Sequence, residues 1–414
     1  MRLDDIDLFD TDRIVSRAPH EELAFLRREA PVWRHPEPNG PGFWVVTKHA
    51  DVVSCSRDPL TFSSAADRGG VVGMHDLTED QAALAALEGE VLLYMDPPKH
   101  TRYRSLVGRG FAPAIVARLT RRIEALTTSI IDKALAAKTF DFVEDIAKPL
   151  PLQVICEILG VPESDRDEVC RWTDRMSALD DEEAAMTARF EMYSYIARLR
   201  EKRVREPGDD LFSDLLAAAD GELSDLELDI FFLLLASAGN ETTRNALSAG
   251  VHALITHPDQ MQRLRSAPEL LPNAVEEVLR WATPVMYFRR NVTRETQLRG
   301  VTLKAGDKVA LSYLSANRDE EVFSEPFRFD VGRSPNEHVS FGGGGPHFCL
   351  GASLARIETR LVVAQVVQKM PTLTLAGDVT RLRSDFLNAL TGLPVEITRR
   401  GWTVGSAAPP PATG

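Results

Sequence analysis

The chain has 414 residues, 44% hydrophobic and 26% charged, the balance of a folded protein with a large core in one or two domains. A formal net charge of −13 argues against a nucleic-acid partner, because neutralising phosphates takes a basic surface. Cys55, Cys156, Cys170 and Cys349 show no CxxC or CxxH spacing, so reduced thiols are expected rather than a zinc site or a disulfide framework.

Met1-Arg2-Leu3-Asp4-Asp5 opens on acids with no apolar run of membrane length nearby, which predicts neither signal peptide nor membrane anchor and a cytoplasmic protein. Gly42–Thr47 reads as a strand. The glycines of Gly69–Met74, in a long segment before Asp96, predict a mobile loop. Asp96-Pro97-Pro98 then starts a helix that points His100 and Arg104, four apart, the same way. Together they suit a carboxylate; a solvated face in the basic stretch Lys99 to Arg109 is the plainer alternative.

Apolar residues recur at helical spacing through most of 118–137, 164–205, 224–256 and 352–370, so helix dominates. Ser224 with Glu227 forms a capping box, and no proline interrupts until Pro258, giving a helix roughly 50 Å long. Near its middle, Ala238-Gly239-Asn240-Glu241-Thr242-Thr243 is rich in weak helix formers, which predicts local bending or widening beside an acid and an alcohol. A helix that simply tolerates these residues is the alternative. Glu277 and Arg280 share one helical face, and Arg328, flanked by Phe327 and Phe329, is expected to be buried and to need a carboxylate. Val301–Leu311 and Leu393–Ile397 look like sheet pieces, and 405–414 reads as a loose tail.

The run Phe341-Gly342-Gly343-Gly344-Gly345-Pro346-His347-Phe348-Cys349-Leu350-Gly351 precedes a helix start at Ala352. Four glycines let backbone approach a flat group closely, and a sulfur at a helix N-terminus is favoured as a thiolate, which makes Cys349 a candidate haem ligand. A phosphate cradle or a small buried hydrophobe are the competing readings. The loop lacks the Gly-Lys-Ser/Thr ending of a P-loop.

Taken together and in this order, these residues resemble the cytochrome P450 family over nearly the whole chain. The resemblance implies a mainly α fold with small β-sheets, residues 1–404 forming one haem domain with the haem between the long central helix and the cysteine loop. In the family's terms Cys349 is the thiolate ligand of haem b, with Phe341 and Gly351 framing it. His100, Arg104, Arg290 and His347 are propionate contacts, with Arg289 able to exchange roles with Arg290. Glu277, Arg280 and Arg328 form a structural network, and Glu241 and Thr242 are the acid-alcohol pair that relays protons to O2. Leu234, Ser237, Ala238, Val285, Met286, Phe386 and Leu387 line the substrate pocket. The family pattern places an aromatic seven residues before the cysteine; here Gly342 stands there and Phe341 one further back, so the loop carries one extra residue.

In function, the resemblance implies a monooxygenase acting on a hydrophobic small molecule: a terpenoid, steroid, fatty chain or aromatic natural product. Electrons would come from a separate ferredoxin and ferredoxin reductase, docking near Arg102, Arg109 and Arg356, and the protein would be a monomer. Oxidative ring closure or coupling, peroxide-driven oxidation, and a non-catalytic haem sensor or carrier are the alternatives.

Overall fold

The computed structural model describes residues 1–37, 40–74, 91–108, 111, 113–176, 182–219 and 221–397. The helices are α1 (His20–Glu29), α2 (His49–Arg57), α3 (Lys99–Gly108), α4 (Pro113–Leu135), α5 (Pro149–Ile158), α6 (Arg166–Met176), α7 (Glu182–Arg205), α8 (Leu211–Ala219), α9 (Asp225–Thr256), α10 (Pro258–Ser266), α11 (Leu271–Ala282) and α12 (Ala352–Lys369), with single-turn pieces between; of the runs expected from periodicity, 118–137 falls mostly in α4, 164–205 contains α6 and α7, 224–256 is α9 and 352–370 is α12. Arg109 and the tail 405–414 lie outside the described residues.

The long helix α9 starts where its cap dictates. Ser224 Oγ accepts the Glu227 N–H at 3.3 Å and the Glu227 carboxylate accepts the Ser224 N–H at 2.6 Å, so two N–H groups that the helix cannot satisfy are paired. The helix runs to Thr256 without the widening expected at Ala238–Thr243: Thr242 Oγ1 donates to the Ala238 carbonyl at 2.8 Å, a bond made alongside the helical ladder rather than in place of it. It packs against α5, α7, α11 and α12, and its apolar residues at both ends, Phe231, Phe232, Leu247 and Val251 among them, sit in the largest core cluster. Burial on several sides is what a helix crossing a core requires.

The strands are β1 (Val32–His35), β2 (Phe43–Val46), β3 (Phe62–Ser63), β4 (Thr139–Asp141), β5 (Tyr287–Val292), β6 (Thr296–Leu298), β7 (Val301–Leu303), β8 (Lys308–Ser312), β9 (Leu373–Leu375), β10 (Thr380–Arg381), β11 (Leu390–Gly392) and β12 (Pro394–Ile397). One five-stranded sheet, ordered β1-β2-β8-β5-β3, carries the functional arginines; its β2-β8 pair is parallel and the others antiparallel. The predicted run Val301–Leu311 divides at Gly306 (φ +90°), β7 pairing with β6 while β8 enters the large sheet.

Gly69–Met74 is anchored to this sheet. Arg289 N–H donates to the Val71 carbonyl at 2.8 Å, Asn291 Nδ2 to the Gly70 carbonyl at 2.8 Å, and Lys308 Nζ to the Met74 carbonyl at 2.8 Å. Its glycines answer a steric need: Gly69 and Gly70 have φ of +109° and +69°, and a Cβ on either would strike Arg289 or Tyr94.

Candidate haem site

In the cysteine loop, Gly342, Gly344 and Gly345 take φ of +94°, +86° and +75°, a region that favours glycine. The expected close approach is made first of all to protein. A Cβ on Gly343 would meet Ser56 Oγ at 2.7 Å, and one on Gly345 would run into the Ser56 carbonyl, so the glycines seat the loop on α2. The turn closes when Cys349 N–H donates to the Phe341 carbonyl at 2.9 Å. Despite the extra residue, Phe341 packs with Ala246, Val275, Leu279 and Ala282, and the Arg356 guanidinium lies 4.5 Å from its ring centroid. Arg356 is held there by Glu276 at 2.7 and 2.9 Å. Burial alone would raise the Glu276 carboxyl, but hydrogen bonds from His338 and Arg356 bring it down to about 2.

Cys349 has accessible surface, yet protein encloses its sulfur on most sides. The two observations describe an atom facing internal space rather than bulk water. Burial pushes its thiol up, while an N–H bond from Gly351, the N-cap of α12, and the nearby Arg104 and Arg356 guanidiniums pull it down. A metal cation at the sulfur would add the missing opposite charge and favour the thiolate.

Around this space four basic side chains converge. His100 and His347 stand with ring centroids 4.2 Å apart, and both ring nitrogens of His100 and Nε2 of His347 are buried without a hydrogen-bond partner. Burial, then Arg104, holds His100 down to about 4; burial, then Arg290, His100 and Arg104, holds His347 down to about 2. Arg104 is itself lowered by burial. Arg290 is buried on β5, with Nη1 donating to the Arg289 carbonyl at 2.7 Å and its guanidinium near the Tyr313 hydroxyl. Arg289 cannot exchange with it: adjacent strand residues face opposite sides, and Arg289 turns to Asn291 and the Gly69–Gly73 segment. Among the described residues no ion pair joins Arg104 or Arg290 to a carboxylate. Buried donors without an anion, beside a thiol, fit a planar metal cofactor bearing two carboxylates, which is the description of haem b.

On α9, mostly buried elsewhere, a stripe of Leu234, Ser237, Ala238, Glu241 and Thr242 keeps accessible surface. Their spacing of three and four puts them on one face. Glu241 lies 3.8 Å from Arg244 and is partly exposed. Val285 bridges Leu387, both half-buried. Met286 and Phe386 depart from the expected pocket lining: they pack in the cluster of Ile6, Leu8, Leu23 and Phe43, where Met286 lines a small apolar crevice. Strand alternation sends Met286 to the side opposite Val285.

The structural network also differs from expectation in one member. Glu277 and Arg280 are fully buried and paired at 2.7 and 2.8 Å. The Glu277 carboxylate further accepts from Arg333 Nε at 3.0 Å, Asn336 Nδ2 at 3.1 Å and the Asp330 N–H at 2.9 Å. The second guanidinium is therefore that of Arg333, not Arg328. Arg328 is exposed and pairs with Glu325 at 3.0 Å, because its neighbour Phe329 takes the inward side; Arg328 contributes only its carbonyl, which accepts Arg333 Nη2 at 2.8 Å. No sequence motif marked Arg333, since its partner lies 56 positions away on α11.

A family model described as Cytochrome P450 matches residues 172–384. The chain is 41% identical to the Steroid C26-monooxygenase of Mycolicibacterium smegmatis, over 98% of this chain and 96% of that one. It is also 41% identical to the Methyl-branched lipid omega-hydroxylase of Mycobacterium tuberculosis, over 90% of each. Among solved structures, a Mycobacterium marinum cytochrome P450 in complex with pseudoionone aligns with a TM-score of 0.86 at 37% identity, covering 96% of this chain and 99% of that one. A Bacillus megaterium enzyme in complex with testosterone aligns at 0.81 and 33%, over 92% and 99%. No helix among the described residues is long and apolar enough to cross a membrane. The glycine-seated cysteine, the unpaired basic cluster and these similarities converge: the chain belongs to the cytochrome P450 family.

Proposed function

We propose that this enzyme hydroxylates the terminal methyl of a branched alkyl chain, on a steroid side chain or a methyl-branched lipid, with Cys349 as its haem ligand. Family membership makes it an oxidoreductase that uses haem b and O2 to oxidise hydrophobic small molecules. The finer reading is carried by one observation: relatives at the same 41% identity are named for C26 of a steroid and for the omega carbon of a methyl-branched lipid. By chemical nomenclature both positions are chain ends, so what the two share is a terminal carbon rather than a ring system.

When bound, haem b supplies oxygen activation and the oxidation of an unactivated C–H bond. The chain's residues do the rest. Cys349 would hold the group as a thiolate, with the Gly351 N–H, Arg104 and Arg356 stabilising that charge. His100, Arg104, Arg290 and His347 would donate hydrogen bonds to the two propionates and fix the cofactor's orientation. Thr242 holds its hydroxyl against the Ala238 carbonyl at rest, leaving its oxygen lone pairs to receive a water, and partly exposed Glu241 brings protons from solvent to that water. Leu234, Ala238, Val285 and Leu387 exclude bulk water and guide an apolar chain end, with Ser237 a polar group beside them. Electrons come from a ferredoxin and its reductase, and the protein works as a cytoplasmic monomer. Arg102 is exposed but pairs with Glu222 at 3.2 Å, a carboxylate that an acidic partner would have to displace.

The test is a spectral titration followed by product analysis. A steroid with an intact branched side chain and a methyl-branched fatty acid should each shift the haem to high spin and yield a terminal alcohol. The reading fails if a steroid lacking the side chain binds equally well, or if turnover gives ring hydroxylation or a product with no added oxygen.

A further inference from the structure

Glu276 and Glu277 are neighbours on α11, yet their carboxylates go to different places. Successive helix residues point about 100° apart, so Glu277 is fully buried in the arginine network while Glu276 turns, partly exposed, towards the cysteine loop. There it accepts Arg356 Nε at 2.7 Å and Nη2 at 2.9 Å, a two-point grip, and it also meets His338 Nε2 at 3.1 Å. The His338 tautomer follows from its other nitrogen. Nδ1 accepts the Ser340 N–H at 3.2 Å, so the ring proton sits on Nε2 and is donated to Glu276.

Both arms of this arrangement end on Phe341. Through His338 and Ser340, Glu276 fixes the backbone one residue before it; through Arg356, whose guanidinium lies 4.5 Å from the ring centroid, it fixes the ring. The Phe341 carbonyl accepts the Cys349 N–H at 2.9 Å, so the placement of Phe341 passes directly to the cysteine turn.

We propose that Glu276 is a positioning residue that sets the reduction potential of the haem iron, by holding Arg356 and Phe341 against the cysteine loop and by cancelling the Arg356 charge there. The proposal rests on Cys349 being the haem ligand. The geometry gives the effect a sign. Reduction adds one electron to the iron site, so a positive charge nearby favours the reduced form and a negative charge opposes it. Glu276 and Arg356 together carry no net charge, and removing either partner leaves the other's charge uncancelled beside the loop. With Nε and Nη2 both engaged by Glu276, Arg356 serves the cysteine loop before it can serve an acidic ferredoxin.

The experiment is a dye-mediated reductive titration of haem-loaded wild type, Glu276→Gln, Arg356→Gln and the double variant, each first checked for the red-shifted carbon monoxide band of thiolate ligation. Glu276→Gln keeps the side-chain shape, removes the negative charge and should raise the potential. Arg356→Gln removes the positive charge and should lower it, each variant changing the ferric–ferrous equilibrium roughly threefold or more. The double variant should fall between the two, and Arg356→Lys, which restores the charge, should return towards the wild-type value. A merely structural role would loosen Phe341 in both single variants and move their potentials the same way. Shifts in one direction, or either potential unmoved, overturn the proposal; if Arg356→Gln does not load haem, Glu276→Gln alone decides. A wild type without the thiolate band would instead contradict the ligand assignment, so the two failures are separate.

Discussion

Two buried clusters of cations lie within this molecule, and they solve the same electrostatic problem differently. Around Glu277 the guanidiniums of Arg280 and Arg333 meet a carboxylate that accepts five hydrogen bonds, so charge is neutralised within the chain. Around Cys349, no carboxylate among the described residues forms an ion pair with the basic groups His100, Arg104, Arg290 and His347. The histidines shed their charge, but an arginine cannot lose its proton. The first cluster is complete as folded and holds the loop before the cysteine to α11. The second would be completed by a doubly anionic ligand, as the two propionates of haem b would supply. Glu358 shows the third way out: buried on α12 with Oε2 unpartnered, its carboxyl is driven by burial from an ordinary 4.5 to about 8, so it stays neutral.

The largest effect should come from breaking the complete cluster. Glu277→Gln leaves Arg280 and Arg333 buried without a counter-charge and should cost about 3–5 kcal/mol of stability, seen as loss of cooperative thermal unfolding in both apo- and haem-loaded protein. Glu358→Gln should act through pH. With a folded pKa near 8 against an ordinary 4.5, the unfolded chain ionises first. Wild-type stability contributed by this group is therefore present below 4.5 and falls as pH rises towards 8, by roughly 5 kcal/mol at most. The variant should show a flatter profile of unfolding free energy from pH 5 to 8; an unchanged slope would mean that Glu358 is ionised. Arg290→Leu attacks the incomplete cluster. Haem affinity should fall by about ten- to hundredfold in a transfer assay, the loss of one charge-assisted contact, while apoprotein stability stays level or rises. A loss of apoprotein stability matching that of Glu277→Gln would erase the distinction between the clusters. Smallest of all, Arg328→Ala removes an exposed ion pair and should shift stability by less than about 1 kcal/mol, where Arg333→Ala should approach the Glu277 variant.

Features of the sequence that act locally were legible. The cap of α9, the Pro-Pro start of α3, the glycines before Cys349 and the three-residue spacing of Glu277 and Arg280 each declare their geometry within a few positions. Long-range pairings were not. β5 escaped notice because two buried arginines, Arg289 and Arg290, interrupt what would otherwise read as an apolar strand. α5 was hidden by Pro149 and Pro151 and by burial on nearly every side, which removes the periodic polar face. The flanking aromatics point to Arg328 as the buried cation, yet only Phe329 turns inward. Gly69 and Gly70 suggested motion, while the partners that require glycine there, Arg289 and Tyr94, lie elsewhere in the chain.

The central claim is that Cys349 ligates haem as a thiolate at the site framed by the incomplete cluster. The most direct test is the carbon monoxide difference spectrum of the dithionite-reduced protein, recorded for wild type and Cys349→His. The wild type should give the strongly red-shifted Soret band of a thiolate-ligated adduct, and the variant should lose it while still binding haem. A wild-type band at the position typical of imidazole ligation, or a red-shifted band that survives in the variant, would contradict the assignment.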